Sequence, residues 1–240
     1  MSSVITSAAG SATAVMATAA QAGEATAVRA SAGVDLSTLG AGFADLARGS
    51  QAVFRTALQA MSHPGRPLPM QADVQAPAHG NTAAAVLLLA LLDADSNVWL
   101  SPSLAAGDAG AWLRFHTGCV LVTDVSQAQF VWSTCDELPA LASLPMGSEA
   151  YPDQSATCVI DVADFVQVAD GIDIGAWVLR GPGIDGETRL HVAGLSPAMA
   201  GDFLAQRAAN HASFPRGVDM FLASRDRIVG LPRSTQIAKD

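Results

Sequence analysis

The chain has 240 residues, 50% hydrophobic and 15% charged, with a formal net charge of −9 at pH 7; twelve of its 13 basic residues are arginine and the single lysine is Lys239. An acidic balance with no basic stripe excludes a nucleic-acid binder, and the longest apolar run, residues 83–92, is about half of the ~20 residues that a membrane helix requires. A lone lysine beside the C-terminus also leaves no candidate for a Schiff base or a phosphate-loop lysine within the fold.

Residues 1–40 hold twelve alanines among Ser, Thr and Gly, with no aromatic and few large aliphatic side chains. An alanine face buries too little area to offset chain entropy, so residues 1–40 are expected to be a disordered extension and residues 41–240 a single α/β domain. The start has no positive stretch of the signal-peptide kind, which points to the cytoplasm. Cys119, Cys135 and Cys158 are 16 and 23 residues apart, neither a metal pair nor an even disulfide set; free buried thiols are expected.

Order is expected to begin near Phe43. From Leu46 the residues Val53, Phe54, Ala57, Leu58 and Met61 recur at three- and four-residue steps as one helical stripe, stopped by Ser62-His63-Pro64-Gly65. Pro67, Pro69 and Pro77 mark an extended crossing with little strand. Asn81 or Thr82 caps a helix over 83–92 that is apolar on all sides and therefore buried. Residues 98–100 read as a strand, 108–115 as a helix ended by Thr117-Gly118, and 119–122 and 128–132 as strands. A short helix over 138–144, a loop over 151–154 and strands over 157–162 and 177–180 follow. Residues 197–209 are amphipathic, with Met199, Phe203 and Leu204 inward and Asp202, Gln206 and Arg207 outward. Strands over 218–223 and 227–231 close the chain. Alternating helices and strands with short connections predict an α/β fold with a mixed sheet.

Gly181-Pro182-Gly183-Ile184-Asp185-Gly186 has the spacing of a dinucleotide fingerprint, but a fingerprint requires a helix to open there. The residues that follow, 187–192, alternate polar and apolar, and Pro182 removes a backbone donor, so a hairpin is expected. Arg114 and His116 share a helix end with Thr117, where they could bind an anion or complement the helix dipole. Arg216 stands beside Pro215 and could pair with Asp219; Arg233, with Ser234 and Thr235, could contact an anion. These residues, Arg114, His116, Arg216, Arg233 and Ser234, are the anion-binding candidates. His63 at the end of the first helix is expected to cap it; His79, His191 and His211 are too scattered to be read as metal ligands, and no catalytic triad or paired carboxylates are visible.

Several blocks together resemble a known family. Phe54-Arg55 with Leu58, the run from Ala60 to Gly65, Val98-Trp99-Leu100, the run from Leu113 to Thr117, Leu179 to Ile184, Phe214 to Asp219 and Leu231 to Thr235 fall in the order of the H subunit of the bacterial carbon–phosphorus lyase core complex. The resemblance spans about residues 43–236; the alanine-rich start lies outside it. It implies a three-layer α/β/α arrangement similar to the pyridoxal-phosphate-dependent transferase fold but without the cofactor, with which the missing internal lysine agrees. It also implies a homodimer when alone, partnership with G, I and J subunits and functional association with an L subunit. The activity implied is the replacement of adenine in ATP by a phosphonate, giving a ribose-phosphonate triphosphate before carbon–phosphorus cleavage. No catalytic residue and no metal are carried over. Two readings remain open: an assembly subunit inert by itself, and a subunit binding nucleotide or phosphonate through an arginine-lined site.

Overall fold

The computed structural model describes residues 39–168 and 175–239. Most of the alanine-rich start therefore lies outside the described residues. Helix α1 spans Leu46–Ser62, with the Asp45 carboxylate accepting from the Arg48 amide as its N-cap. Its inward residues are Val53, Ala57 and Ala60. Phe54 and Leu58, expected on the same buried stripe, are 46% and 54% exposed. The reason is the closeness of the helix to the sheet. Gly230 approaches Ala60 so tightly that a Cβ there would lie 2.5 Å from the Ala60 carbonyl carbon, so small side chains take the inner seam and large ones turn out.

Helix α2, Thr82–Leu91, is buried over most of its length, as its apolar circumference predicts. Asn81 precedes it, but its side chain does not cap the helix. Instead the amide nitrogen donates to the carbonyls of Val162 and Ala223, 2.9 and 3.0 Å away. Helix α3, Pro102–Ala106, was not foreseen. Helix α4, Ala109–Thr117, ends at Gly118 with φ of 76°, the left-handed conformation that glycine accepts without strain.

The strands are β1 Leu68–Pro69, β2 Asn97–Leu100, β3 Val120–Leu121, β4 Phe130–Thr134, β5 Thr157–Asp161, β6 Asp164–Val168, β7 Trp177–Arg180, β8 Thr188–Ala193, β9 Asp219–Ala223, β10 Arg227–Leu231 and β11 Gln236–Lys239. Helix α5 spans Pro197–Ala212. Among the described residues, seven strands form a mixed sheet in the order β1-β10-β9-β5-β4-β2-β3. Strands β3, β2, β4, β5 and β9 run parallel, while β10 is antiparallel to both β9 and β1. A second, antiparallel sheet runs β11-β7-β8-β6.

Alternation along the central strands separates two cores. Val98, Trp132, Val159, Phe221 and Ile228 face the helices α1, α2 and α4. Val131, Cys158, Ile160, Met220 and Val229 face Phe165, Trp177, Leu179, Leu190 and Phe203 on the other side. A parallel sheet covered on both faces needs such continuously apolar strands. The expected α/β class with a mixed sheet is present. The second outer layer differs from the helices implied by the resemblance, because the small antiparallel sheet covers that face together with α5.

The glycine-rich segment is a turn between β7 and β8, which pair antiparallel, and no helix opens there. Helix α5 brings the clearest correction. Arg207, expected outward, is 1% exposed and sits on the inward face with Phe203 and Asn210. Its guanidinium donates to the carbonyls of Val218 and Pro232 at 3.3 and 2.7 Å. The same carbonyls also accept from the Asn210 side chain and from the Thr235 amide, at 3.1 and 3.0 Å, so α5 turns Arg207 and Asn210 inward together onto the segments beside β9 and β10.

Candidate functional site

Arg233 lies where the chain turns from β10 toward β11. Its Nε donates to both carboxylate oxygens of Asp219 at 3.1 and 3.2 Å, and Nη2 reaches Asp219 and the Ser155 hydroxyl. Nη1 donates to the carbonyls of Pro152 and Pro215 at 2.7 and 3.3 Å. Planar arginine suits this, since one fork can satisfy several acceptors at fixed angles. Asp219 therefore pairs with Arg233, and not with Arg216 as the sequence suggested. Arg216 is exposed, next to Phe214-Pro215, and Ser234 is half-buried in the following turn.

Arg114 and His116 sit at the other side of the sheet. The Nε2 of His116 is 2.9 Å from the Gly40 carbonyl, and its ring meets Trp112 and Phe115 edge to face. Trp112 Nε1 donates to the same Gly40 carbonyl and to that of Gln75. His116 thus holds the entering chain against α4, while Arg114 is exposed beside it. Helix α4 packs by β3, and β3 is four strand steps from β9, roughly 19 Å at the usual spacing. The candidates fall into two groups, Arg114 with His116 and Arg216 with Arg233 and Ser234, and no recorded contact among the described residues joins them.

Sequence reasoning missed Asp161. It ends β5 at the carboxyl edge of the parallel strands, the edge where open α/β sheets bind ligands. Its carboxylate accepts from Trp132 Nε1 at 3.0 Å and from the Asn81 amide at 2.8 Å. The start of α2, a natural anion site, is thus occupied by a carboxylate of the chain itself. Burial pushes the Asp161 carboxyl up to about 6, against the two hydrogen bonds that favour the charged form. A carboxylate closing an otherwise apolar strand was the signal available in the sequence.

Among the clefts elsewhere, two bear on the motifs. A cavity of about 110 Å³ beneath α5 is lined by Cys135, Trp177, Met199 and Phe203, with Asp136 and Asp202 among its polar groups. Those carboxylates disfavour an anionic ligand there. An open cleft of about 220 Å³ between the end of α1 and the glycine turn is lined by His63, Arg66, Gln167, Glu187 and Thr188. Glu187 is already engaged by Arg180 and by Arg189. The three cysteines are free thiols, Cys119 and Cys158 buried and Cys135 half-buried. Burial raises all three thiol pKa values, Cys158 to about 12, which suppresses thiolate chemistry. Among the described residues no group of three His, Cys, Asp or Glu side chains could hold a metal ion, and no helix is long and apolar enough to cross a membrane.

Fold and clusters together define an α/β protein whose most fully hydrogen-bonded charged groups, Asp161, Arg207, Asp219 and Arg233, hold loops and helix ends in place. Residues 41–238 match the model of the bacterial phosphonate metabolism protein family (PhnH), and the chain belongs to that family. It is 32% identical over 200 residues to the alpha-D-ribose 1-methylphosphonate 5-triphosphate synthase subunit PhnH of Rhizobium meliloti (strain 1021), covering 82% of this chain and 94% of the relative. It is also 34% identical over 188 residues to a putative C-P lyase subunit protein, HtxG, of Stutzerimonas stutzeri, covering 78% and 85%.

Proposed function

We propose that the chain is a non-autonomous subunit of a carbon–phosphorus lyase complex. In this reading it supports the step in which an alkylphosphonate displaces adenine from ATP, forming ribose 1-phosphonate 5-triphosphate before the carbon–phosphorus bond is cut. Its partners are G, I and J subunits, with an L subunit associated functionally, and it forms a homodimer when alone in the cytoplasm. The observation that carries the reading is a match along nearly the whole length of a relative that is itself named a synthase subunit. The burial pattern supports it. The motif residues Phe54, Leu58, Phe115 and Phe214 are large, apolar and exposed, which suits contact with partners better than a closed catalytic pocket. The mixed sheet, with one antiparallel strand inside it, is also consistent with a cofactor-free relative of the pyridoxal-phosphate transferase fold.

The test uses methylphosphonate and ATP. The purified chain alone should release no adenine, and it should co-purify with co-expressed G-, I- and J-type subunits. Adenine release by the chain alone at a rate matching the full complex would overturn the reading.

The nucleotide- or phosphonate-binding alternative is favoured by one observation. Arg114 and Arg216 are exposed with no ion pair among the described residues, so each, in its own group, has donors free for an anion at a separate site. Titration with ATP or methylphosphonate checks it: binding that Arg114→Ala and Arg216→Ala leave unchanged removes it.

A further inference from the structure

Helix α1 carries a second seam. Besides the buried residues Val53, Ala57 and Ala60, the positions Ala47, Gln51, Phe54, Leu58 and Met61 follow one another at steps of four, three, four and three. That is the spacing of a coiled-coil contact line, because 3.5 residues per turn keeps such positions on one side of a helix. The line is about 21 Å long at 1.5 Å per residue. Ala47, Gln51, Phe54 and Leu58 are exposed and Met61 is half-buried. Phe54 and Leu58 lie outside the core packing of α1, which uses Val53, Ala57 and Ala60 with Met61 packed partly against the helical core.

Charge identifies the kind of partner. The chain is acidic overall, yet residues 46–72 contain Arg48, Arg55 and Arg66 and no carboxylate; Asp45 and Asp73, at either end of that stretch, share a groove with Arg48 and leave Arg55 as the unmatched charge beside the seam. Arg48 and Arg55 are seven residues apart and flank the seam on one side. Arg55 is exposed, and Arg48 lies 3.6 Å from Asp45 at the helix start, an exposed pair of small energetic value. A second copy of α1 in antiparallel contact would set these arginines against each other, and in parallel contact would set Arg55 against Ser50. Neither arrangement offers a carboxylate.

Resting on the subunit reading above, the geometry points to the exposed seam of α1 as the docking surface for a helix of another protein of the complex, one that carries apolar residues at heptad spacing flanked by Asp or Glu. The apolar seam supplies affinity, while the arginine flank selects orientation and raises the association rate.

The experiment compares the full chain with F54D, L58D and R55E, each co-expressed with the G-, I- and J-type subunits, and places a photo-crosslinking residue at Gln51. The wild type should co-purify with the complex, F54D and L58D should weaken association about tenfold or more, and R55E should slow association most at low salt. Unchanged circular dichroism of the free variants separates lost docking from lost folding. The crosslink should fall on an acidic, heptad-patterned helix of another subunit. Failure of the wild type to assemble defeats the subunit reading itself. Assembly of the wild type with undiminished assembly of F54D and L58D overturns only the seam. A crosslink to residues 1–38, or to a second copy of this chain, would overturn it as well by naming a different occupant.

Discussion

Two aspartates mark the ends of the parallel strands. Asp161 closes β5 and Asp219 opens β9, and each is matched by donors from elements far away in sequence. The Asp161 carboxyl titrates at about 6 in the fold against 3.8 for an ordinary aspartate, so the folded chain holds this proton more tightly than the unfolded chain. The resulting stabilisation is complete below about pH 4 and is lost as the pH rises through about 6. In urea unfolding, the stability of the wild type minus that of D161N should fall by about 2 kcal/mol between pH 4 and 7. A difference independent of pH would contradict it. Removing the Arg233 side chain acts differently, because two loop carbonyls lose a donor and the Asp219 carboxylate keeps the backbone amide of residue 233, 2.7 Å away, but no guanidinium. R233A should lower stability by about 3 kcal/mol, and R233K should recover only part, since an ammonium cannot span those acceptors. The arginine was legible in the sequence as an anion-contacting residue beside a proline. That Asp219 would be its partner was not legible, because the 13 residues between them include the rest of β9 and all of β10.

Elements were legible where their periodicity is local. The helical pattern of α1, the all-round apolar α2 and the strand that follows the glycine turn are each readable from a few consecutive residues. What each element touches is a separate matter. Gly183, at φ of 84°, lies so close to the Ser62 carbonyl that a Cβ would come within 2.2 Å of its oxygen, whereas Gly186, at φ of 69°, has open space around it. G183A should therefore cost at least about 2 kcal/mol and G186A only about 1 kcal/mol, the strain of a left-handed residue. Thermal unfolding of the two variants checks this, and equal losses would mean that the glycine turn does not dock on α1. Arg207 and the seam residues Phe54 and Leu58 show the same limit from two directions. A helical wheel ranks faces by polarity, but the carbonyls of Val218 and Pro232 draw a guanidinium inward, and contact with Gly230 pushes large apolar side chains outward. The short α3 and β11 carry too few residues to produce a period.

For the whole molecule, the boundary of the fold can be placed and tested. The family match begins at residue 41, while the Gly40 carbonyl accepts from Trp112 and Leu39 packs against the helical core. Contacts with the helical core therefore reach a few residues before the Phe43 that the apolar pattern indicated. A chain beginning at Leu39 should unfold within about 0.5 kcal/mol of the full chain. One beginning at Ala44 should lose about 1–3 kcal/mol, because the buried indole N–H of Trp112 gives up one of its two acceptors and His116 its carbonyl contact. Denaturation midpoints at a fixed denaturant slope distinguish the two.

The sequence alone determined that this is an acidic α/β protein with a mixed sheet, that its glycine-rich run is a turn between strands, and that its motifs follow the order of one phosphonate-metabolism family. Those properties reside in composition, short-range periodicity and the order of blocks, all of which survive without a third dimension. The tertiary structure decided which arginines are occupied, which face of α1 is left open, and that the start of α2 is filled by Asp161. These depend on how closely backbones approach and on which carbonyls are left without donors, and such requirements arise only when residues distant in the chain are packed together.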